Sequence, residues 1–250
     1  MRPPVDTIPA PPFPAKAPWI NVATLRMDRQ QGRPVLIEFW DFCRPNSMRT
    51  LPYFKAWHER YADAGLRVIG VHASGFEPSA DTDSVRAAVA RLGIEYPVMV
   101  DVDLELWQEY ENLGWPARYL FNAQGALHDF HYGEGAYAET EQAIQELLGL
   151  SGQPTVEPQR PEDVPGAVLT PQTEDVQGPY SGPYEAGGVW AVVDGAGVLE
   201  VNGEPVEVPG PGAHELIRHE TSQAGTLELS AGPGVSVLAT CFTPGVNPAG

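Results

Sequence analysis

A single thiol, that of Cys43, lies close to the start of a predicted helix, in a stretch that runs from Phe39 to Pro52. The N-terminus of a helix carries partial positive charge, which lowers the pKa of a nearby thiol and favours the thiolate. A thiolate can attack a disulfide or be oxidised to a sulfenic acid. One interpretation therefore makes Cys43 a lone redox nucleophile. The other gives it a packing role only, with its sulfur directed away from the helix axis.

Two polar side chains follow this thiol along the chain. Ser47 can cap the predicted helix with its hydroxyl, which is a structural role. Arg44 is either solvated or forms, with the exposed N–H groups of the helix, a seat for an anion or a carboxylate. These residue types thus leave both a structural and a binding interpretation open.

The elements that must position these residues are a strand and the helix after it. Residues 35–40 form a short apolar run, which is typical of a strand buried on both faces. Residues 47–64 are predicted to be a helix, because apolar side chains recur at spacings of three and four. Pro52 lies inside this helix and is expected to kink it.

Strands and helices alternate through the rest of the first 150 residues. Further strands are predicted at 66–72, 96–101, 118–121 and 126–131, and further helices at 81–92, 105–110 and 138–148. Asp81 or Asp83 is expected to cap the second helix at its N-terminus, and Gly93 follows its C-terminus. The pattern predicts an α/β domain, and the hairpin over 118–131 predicts a mixed sheet.

The composition changes near residue 150. Residues 151–183 are rich in Pro, Gln, Gly and Glu without periodicity, and are predicted to be a linker. Residues 184–250 contain short strands and glycine-rich turns, at 189–193, 197–201, 204–208, 214–218, 226–230 and 236–242, which predicts a small β-sandwich. Asn202-Gly203 is a strong signal for a hairpin turn. The predicted organisation is therefore a domain over 1–150, a linker and a small all-β domain.

Charge and cysteine content exclude several classes of function. The net charge of −18 argues against binding to nucleic acid or to an anionic membrane surface. The two cysteines, Cys43 and Cys241, are too few for a disulfide scaffold or a cysteine-rich metal site, and we expect no disulfide between them. Cys241 falls in an apolar strand and is expected to be buried. The chain shows no signal peptide or spanning segment, so we expect a soluble, cytoplasmic protein.

The first 150 residues resemble the thioredoxin-like domains of the TlpA/DipZ type. The residues that carry the resemblance are Phe39-Trp40, Arg49-Thr50-Leu51-Pro52-Tyr53, and the segments 65–72, 114–120 and 131–135. The C-terminal part resembles, over 201–206, 225–229 and 234 onward, a shortened form of the β-sandwich that follows this domain in DipZ-type proteins. The resemblance implies a thioredoxin-like mixed sheet flanked by helices.

The same resemblance implies disulfide chemistry that this chain lacks the residues to perform. The family pattern, F-W-x-x-x-C-x-x-C-x-x-x-x-P, places its first cysteine on Arg44 and its second on Ser47, and Cys43 comes one residue too early. Pro116 matches the family's cis-proline, which shapes a groove for the extended backbone of a partner. The implied groove residues are Trp40, Arg44, Asn46, Ser47, Trp115 and Pro116.

Two other groups of titratable residues are candidates for chemistry. Glu38 matches an acidic residue that lies beneath the family's site, where a buried carboxylate can accept a proton from the resolving thiol. Without that thiol, Glu38 becomes a structural residue satisfied by Ser47 or by water. His128 and His131 are three residues apart on a predicted strand, which places them on opposite faces and argues against a shared metal. No metal and no cofactor are expected.

These observations predict a thioredoxin-family protein with a degenerate active site that binds a peptide, a protein partner or a small anion. The alternative is a monothiol oxidoreductase or a peroxidase-like enzyme that uses Cys43. A third hypothesis gives the β-sandwich a role in glycan binding, through Tyr180, Tyr184 and Trp190.

Overall fold

The computed structural model describes residues 8–248. Within these residues the chain divides into two compact units. The first comprises residues 8–41 and 46–157, and the second comprises residues 42–45 and 158–248. None of the helices in 8–248 combines the length and the apolar character that a membrane span needs.

The first unit is a six-stranded mixed sheet with helices. Its elements are β1 (Trp19–Ile20), β2 (Val35–Trp40), α1 (Pro45–Tyr61), β3 (Arg67–His72), α2 (Thr82–Arg91), β4 (Val98–Val100), α3 (Glu105–Glu109), β5 (Ala117–Phe121), β6 (Leu127–Tyr132) and α4 (Tyr137–Leu148). The strand order is β1-β4-β3-β2-β5-β6. Strands β2, β3 and β4 are parallel, whereas β1, β5 and β6 pair antiparallel with their neighbours. The predicted α/β class and mixed sheet are confirmed.

Helix α1 packs through the apolar stripe that its sequence predicts. The four side chains of this stripe are buried, namely Leu51, Phe54, Trp57 and Tyr61. The helix begins at Pro45, two residues earlier than predicted, because proline is well suited to the first helical position. Pro52 lies inside α1 and the helix continues to Tyr61.

A buried carboxylate joins α4 to α1. Glu141 accepts hydrogen bonds from Trp57 Nε1 at 3.0 Å, Arg60 Nη1 at 3.1 Å and the Tyr61 hydroxyl at 2.7 Å. The backbone N–H of Val156 donates to the same carboxylate at 2.7 Å. A buried charge is tolerated when it is hydrogen-bonded in this way.

The hairpin of β5 and β6 contains a bulge that changes which side chains share a face. The pairing shifts by one residue between Leu120↔Asp129 and Phe121↔Leu127. In a regular strand, two residues that are three positions apart point to opposite faces. When a bulge adds one residue between them, they point to the same face. His128 lies 4.0 Å from Glu146 of α4, and His131 pairs with Arg118, whose guanidinium also contacts α4. The expectation that His128 and His131 lie on opposite faces is therefore wrong.

The second unit is all-β. Its strands are β7 (Leu169–Thr170), β8 (Val176–Gln177), β9 (Ser181–Gly195), β10 (Gly197–Val201), β11 (Glu204–Val208), β12 (Gly212–Ala231), β13 (Val235–Thr243) and β14 (Gly245–Val246). Six of them form an antiparallel sheet of order β11-β10-β12-β9-β13-β8, and β14 pairs with β7. The Asn202-Gly203 turn joins β10 to β11, with positive φ at both residues. This is the predicted hairpin, and the all-β class is confirmed.

Two features of the second unit differ from the sequence-based expectation. The strands predicted at 214–218 and 226–230 are parts of one 20-residue strand, β12, whose pairing with β9 is interrupted by two register shifts. The segment expected to be a linker, 151–183, contains β7 and β8, and each pairs with a strand from the C-terminal end. Short runs without periodicity carry too little signal to reveal such edge pairings.

Candidate functional site

The end of β2 and the first turn of α1 are held together by Ser47. Its buried hydroxyl accepts a hydrogen bond from the backbone N–H of Asp41 at 3.2 Å. Ser47 does not cap the helix as expected, because α1 already begins at Pro45 and Ser47 lies inside its first turn. The side chain of Thr50 donates to the carbonyl of Asn46 at 3.0 Å, which further orders this turn.

Glu38 is fully buried in the centre of β2. Its Oε2 accepts a hydrogen bond from the Tyr96 hydroxyl at 3.5 Å, and its Oε1 has no hydrogen-bond partner among the described residues. Burial raises the pKa of this carboxyl well above its ordinary value, although the charge of Arg118 and the Tyr96 hydroxyl both act to lower it. Ser47, the partner considered from the sequence, bonds Asp41 instead. Glu38 is thus a carboxyl group that favours its protonated form.

The proline of the predicted groove has the predicted geometry. The Trp115–Pro116 peptide bond is cis. Trp115 Nε1 donates to the carbonyl of Ala73 at 2.8 Å, and the Trp115 ring lies 4.3 Å from the Trp107 ring. Pro116 is buried and Trp115 is partly exposed. A fixed indole beside a cis-proline is therefore present in the first unit.

Cys43 and Arg44 belong to the four-residue segment that groups with the second unit. Both cysteines are buried thiols, and they are not joined in a disulfide. Within this unit the backbone N–H of Ala213 donates to the carbonyl of Phe42 at 2.8 Å. Burial and the neighbouring Asp175 raise the pKa of the Cys241 thiol to about 12, and the charge of Arg44 opposes this rise. Cys241 is buried in β13, as expected.

The division of the chain separates the sequence-predicted site residues into two sets. The first unit holds Glu38, Trp40, Asn46, Ser47, Trp115 and Pro116, and the second holds Cys43 and Arg44. The aromatic residues considered for glycan binding are mostly interior, since Tyr184 and Trp190 are buried and Tyr180 is partly buried.

A buried histidine and aspartate near the end of β2 were missed from the sequence. His72 Nε2 lies 3.6 Å from Asp41 Oδ1, and both side chains are buried. Asp41 Oδ2 also accepts the backbone N–H of Gly75 at 2.8 Å. The sequence did contain a signal for this pair, since β2 and β3 were both predicted as buried strands. Their parallel pairing places Trp40 opposite His72, and Asp41 is the next residue after Trp40.

Residues 8–248 contain no cluster of three or more His, Cys, Asp or Glu side chains with the arrangement of a metal site.

Comparison with known proteins shows what this chain is similar to. The sequence pattern of the AhpC/TSA family matches residues 8–130. DipZ of Mycobacterium tuberculosis is 29% identical over 90% of this chain and 41% of its own length. The thiol-disulfide oxidoreductase YkuV of Bacillus subtilis is 27% identical over 56% of this chain and 94% of its own length.

A solved structure supports the same fold. The solution structure of a thioredoxin-like protein in the oxidized form superposes with a TM-score of 0.52 and 27% identity, over 58% of this chain and 97% of that protein. The present chain spans about two fifths of the length of DipZ, so the match to DipZ concerns only part of that protein. Residues 8–130 therefore match an AhpC/TSA-type, thioredoxin-like domain that is similar to thiol-disulfide oxidoreductases, and an all-β region of antiparallel sheets follows it.

Proposed function

We propose that this protein has lost two-cysteine exchange and binds an extended peptide segment of a protein partner in the groove beside Pro116. The observation that carries the proposal is the state of Ser47, which occupies the position of the resolving cysteine in the family pattern. Its hydroxyl is buried and accepts the N–H of Asp41. An exchange cycle needs a second thiol to release the mixed disulfide, and the hydroxyl of a serine cannot take part in thiol–disulfide exchange.

The other cysteine of the chain offers no replacement for the missing thiol. Cys241 lies in β13 of the all-β unit and is not bonded to Cys43. The raised pKa of Cys241 keeps it a thiol at neutral pH, and a thiol is a poor nucleophile. Two-cysteine chemistry within the chain is thereby disfavoured.

Monothiol chemistry at Cys43 is the alternative, and the burial of this residue argues against it. The Cys43 side chain is 0% exposed. Attack on a disulfide or oxidation by a peroxide requires access to the sulfur. The packing role is therefore the better interpretation of Cys43.

The groove, in contrast, keeps parts that peptide binding needs. Trp115 is partly exposed, and its indole is held by a hydrogen bond to Ala73 and by contact with Trp107. A rigid aromatic side chain loses little entropy on binding, which suits it to anchor a partner. Burial raises the pKa of Glu38, the carboxyl group that the family pattern places at this site.

Restoring the two thiols tests the proposal directly. We expect wild type to be inactive in an insulin-disulfide reduction assay driven by dithiothreitol. The double variant Arg44→Cys with Ser47→Cys should exceed both single variants by at least about tenfold, because only the double variant can attack and resolve. Circular dichroism would establish that each variant is folded.

Two results would overturn the proposal. Wild-type reductase or peroxidase activity that disappears in Cys43→Ser would promote the monothiol enzyme. A folded but inactive double variant would show that Arg44 and Ser47 do not occupy the positions of the family's cysteines.

Binding in the groove has its own test. Peptides selected on the protein from a random display library should lose affinity for Trp115→Ala by at least about fivefold. Leu113→Ala is the matched control, since Leu113 is 85% exposed and only two residues away. Equal losses in the two variants, or no selectable peptide, would contradict binding at Trp115.

A further inference from the structure

An open cavity of about 430 Å³ lies in the first unit, away from the Pro116 groove. Residues from the start of the described chain, the end of α3, and the β5–β6 hairpin line it, and β6 is the edge strand of the sheet. This volume is within the range of small-molecule binding pockets.

Aromatic side chains form the floor and the walls of this cavity. Tyr119 and Phe121 of β5 are buried and form the floor. Phe130 and Tyr132 of β6 are 38% and 40% exposed, so a ligand can reach them. Tyr110, at the end of α3, completes the set.

The planes of these rings are inclined to one another. Phe130 is roughly parallel to Tyr119, at 20° and 6.4 Å between centroids, whereas Tyr132 is turned 71° from Phe130. Tyr110 is turned 75° from Tyr119 at 4.9 Å. The Tyr119 hydroxyl donates to Asn112 Oδ1 at 2.9 Å and lies 3.0 Å from the Tyr132 hydroxyl, which fixes both rings.

The bulge in β6 is what brings its side chains to this cavity. Leu127 and Phe130 are three residues apart and would point to opposite faces of a regular strand. The register shift before Asp129 puts both on the cavity side. Bulges commonly redirect side chains in this manner near binding sites.

The rim of the cavity is acidic. Among the described residues, the lining includes Glu109 and Glu111, which are both exposed, and contains no Lys, Arg or His. The chain as a whole carries a net charge of −18. Aromatic faces and carboxylates both attract cations, and together they repel anions.

We propose that this cavity binds a small organic cation whose nitrogen carries apolar substituents, such as a substituted ammonium ion. The apolar substituents would contact the rings, the positive charge would be stabilised by the ring faces, and the two carboxylates at the rim would add long-range attraction. Within residues 8–248, neither Trp115 nor Pro116 of the proposed peptide groove lines this cavity.

The test compares choline with its neutral isostere, 3,3-dimethylbutan-1-ol, on the full chain. Both are titrated by NMR, following the aromatic signals of the protein. We expect choline to bind at least about fivefold more tightly than the isostere, because only the cation gains from the ring faces and the carboxylates. Raising the salt concentration should weaken choline binding and leave the isostere unchanged.

Substitutions locate the site. Phe130→Leu and Tyr132→Leu each remove a ring face while retaining apolar volume, and each should raise the Kd of choline about two- to fivefold. The pair Glu109→Gln and Glu111→Gln should reduce the salt dependence, whereas Glu59→Gln, an exposed carboxylate elsewhere, should not. Binding that is absent up to about 100 mM choline, equal for choline and isostere, or unchanged by both ring variants would overturn the proposal.

Discussion

Replacing Glu38 with glutamine tests whether the buried carboxyl group is protonated or ionised in the folded protein. Glutamine has nearly the same shape as a protonated glutamic acid and cannot ionise. Glu38 is fully buried in β2. Among the described residues, its Oε1 has no hydrogen-bond partner and its Oε2 receives a 3.5 Å hydrogen bond from Tyr96. The folded protein therefore favours the neutral form, and burial is the main cause of the raised pKa.

The sign and size of the effect follow from linkage between protonation and folding. In the unfolded chain Glu38 ionises near its ordinary pKa of 4.5, while in the folded chain it holds its proton to higher pH. The stabilising contribution of this group is therefore complete below the unfolded pKa and is lost as the pH rises toward the folded one. For each pH unit over which Glu38 stays protonated in the folded protein and ionised in the unfolded chain, wild type loses about 1.4 kcal/mol relative to Glu38→Gln.

Urea unfolding at pH 5, 6, 7 and 8 measures this difference. Of the tryptophans, Trp190 alone lies in the second unit, so a Trp190→Phe background makes the fluorescence report on the first unit. Glu59→Gln, which removes an exposed carboxylate from α1, controls for the loss of one charge.

The result that refutes the reasoning is a constant difference. If the free energies of unfolding of wild type and Glu38→Gln differ by the same amount at all four pH values, folding does not raise the pKa of Glu38, and the carboxyl group is ionised in both states over this range. Such a result would mean that the charge of Arg118 offsets the effect of burial on this carboxyl group.

Two further substitutions probe the scaffold that carries the site. Gly70→Ala should lower the free energy of unfolding of the first unit by about 1–3 kcal/mol. The added Cβ would lie 3.0 Å from Trp40 Nε1 and 3.2 Å from Tyr96 Cε2. An unchanged urea midpoint would show that both rings can move. Asp81→Ala should cost about 1 kcal/mol, because the Asp81 carboxylate accepts the N–H of Ser84 at 2.8 Å at the start of α2, and Asp81→Asn should retain most of this stability at pH 7.

Local sequence patterns were sufficient to predict most elements of the fold. The apolar run of β2, the stripe of α1, the cap at Asp81 and the Asn202-Gly203 turn each act through neighbours a few residues away. A single sequence is therefore enough to predict these elements. The cis bond at Pro116 could be expected because the motif around it resembles a known family.

Long-range packing decided the features that the patterns missed. The merging of two predicted strands into β12 depends on pairing with β9, and the bulge in β6 depends on pairing with β5. One extra residue in that bulge reversed the expected faces of His128 and His131. Register between strands is set by the whole sheet, so no short window of sequence contains it.

The properties of the candidate site also fall into those that the sequence determines and those that depend on the folded structure. The residue types at 38, 43, 44 and 47, and the absence of a second nearby thiol, are determined by the sequence alone, and they limit which chemistry can occur. The protonation preference of Glu38, the engagement of the Ser47 hydroxyl by Asp41 and the five-ring cavity exist only in the folded chain. Burial and distance produce these three properties, and both arise when residues distant in sequence are packed together.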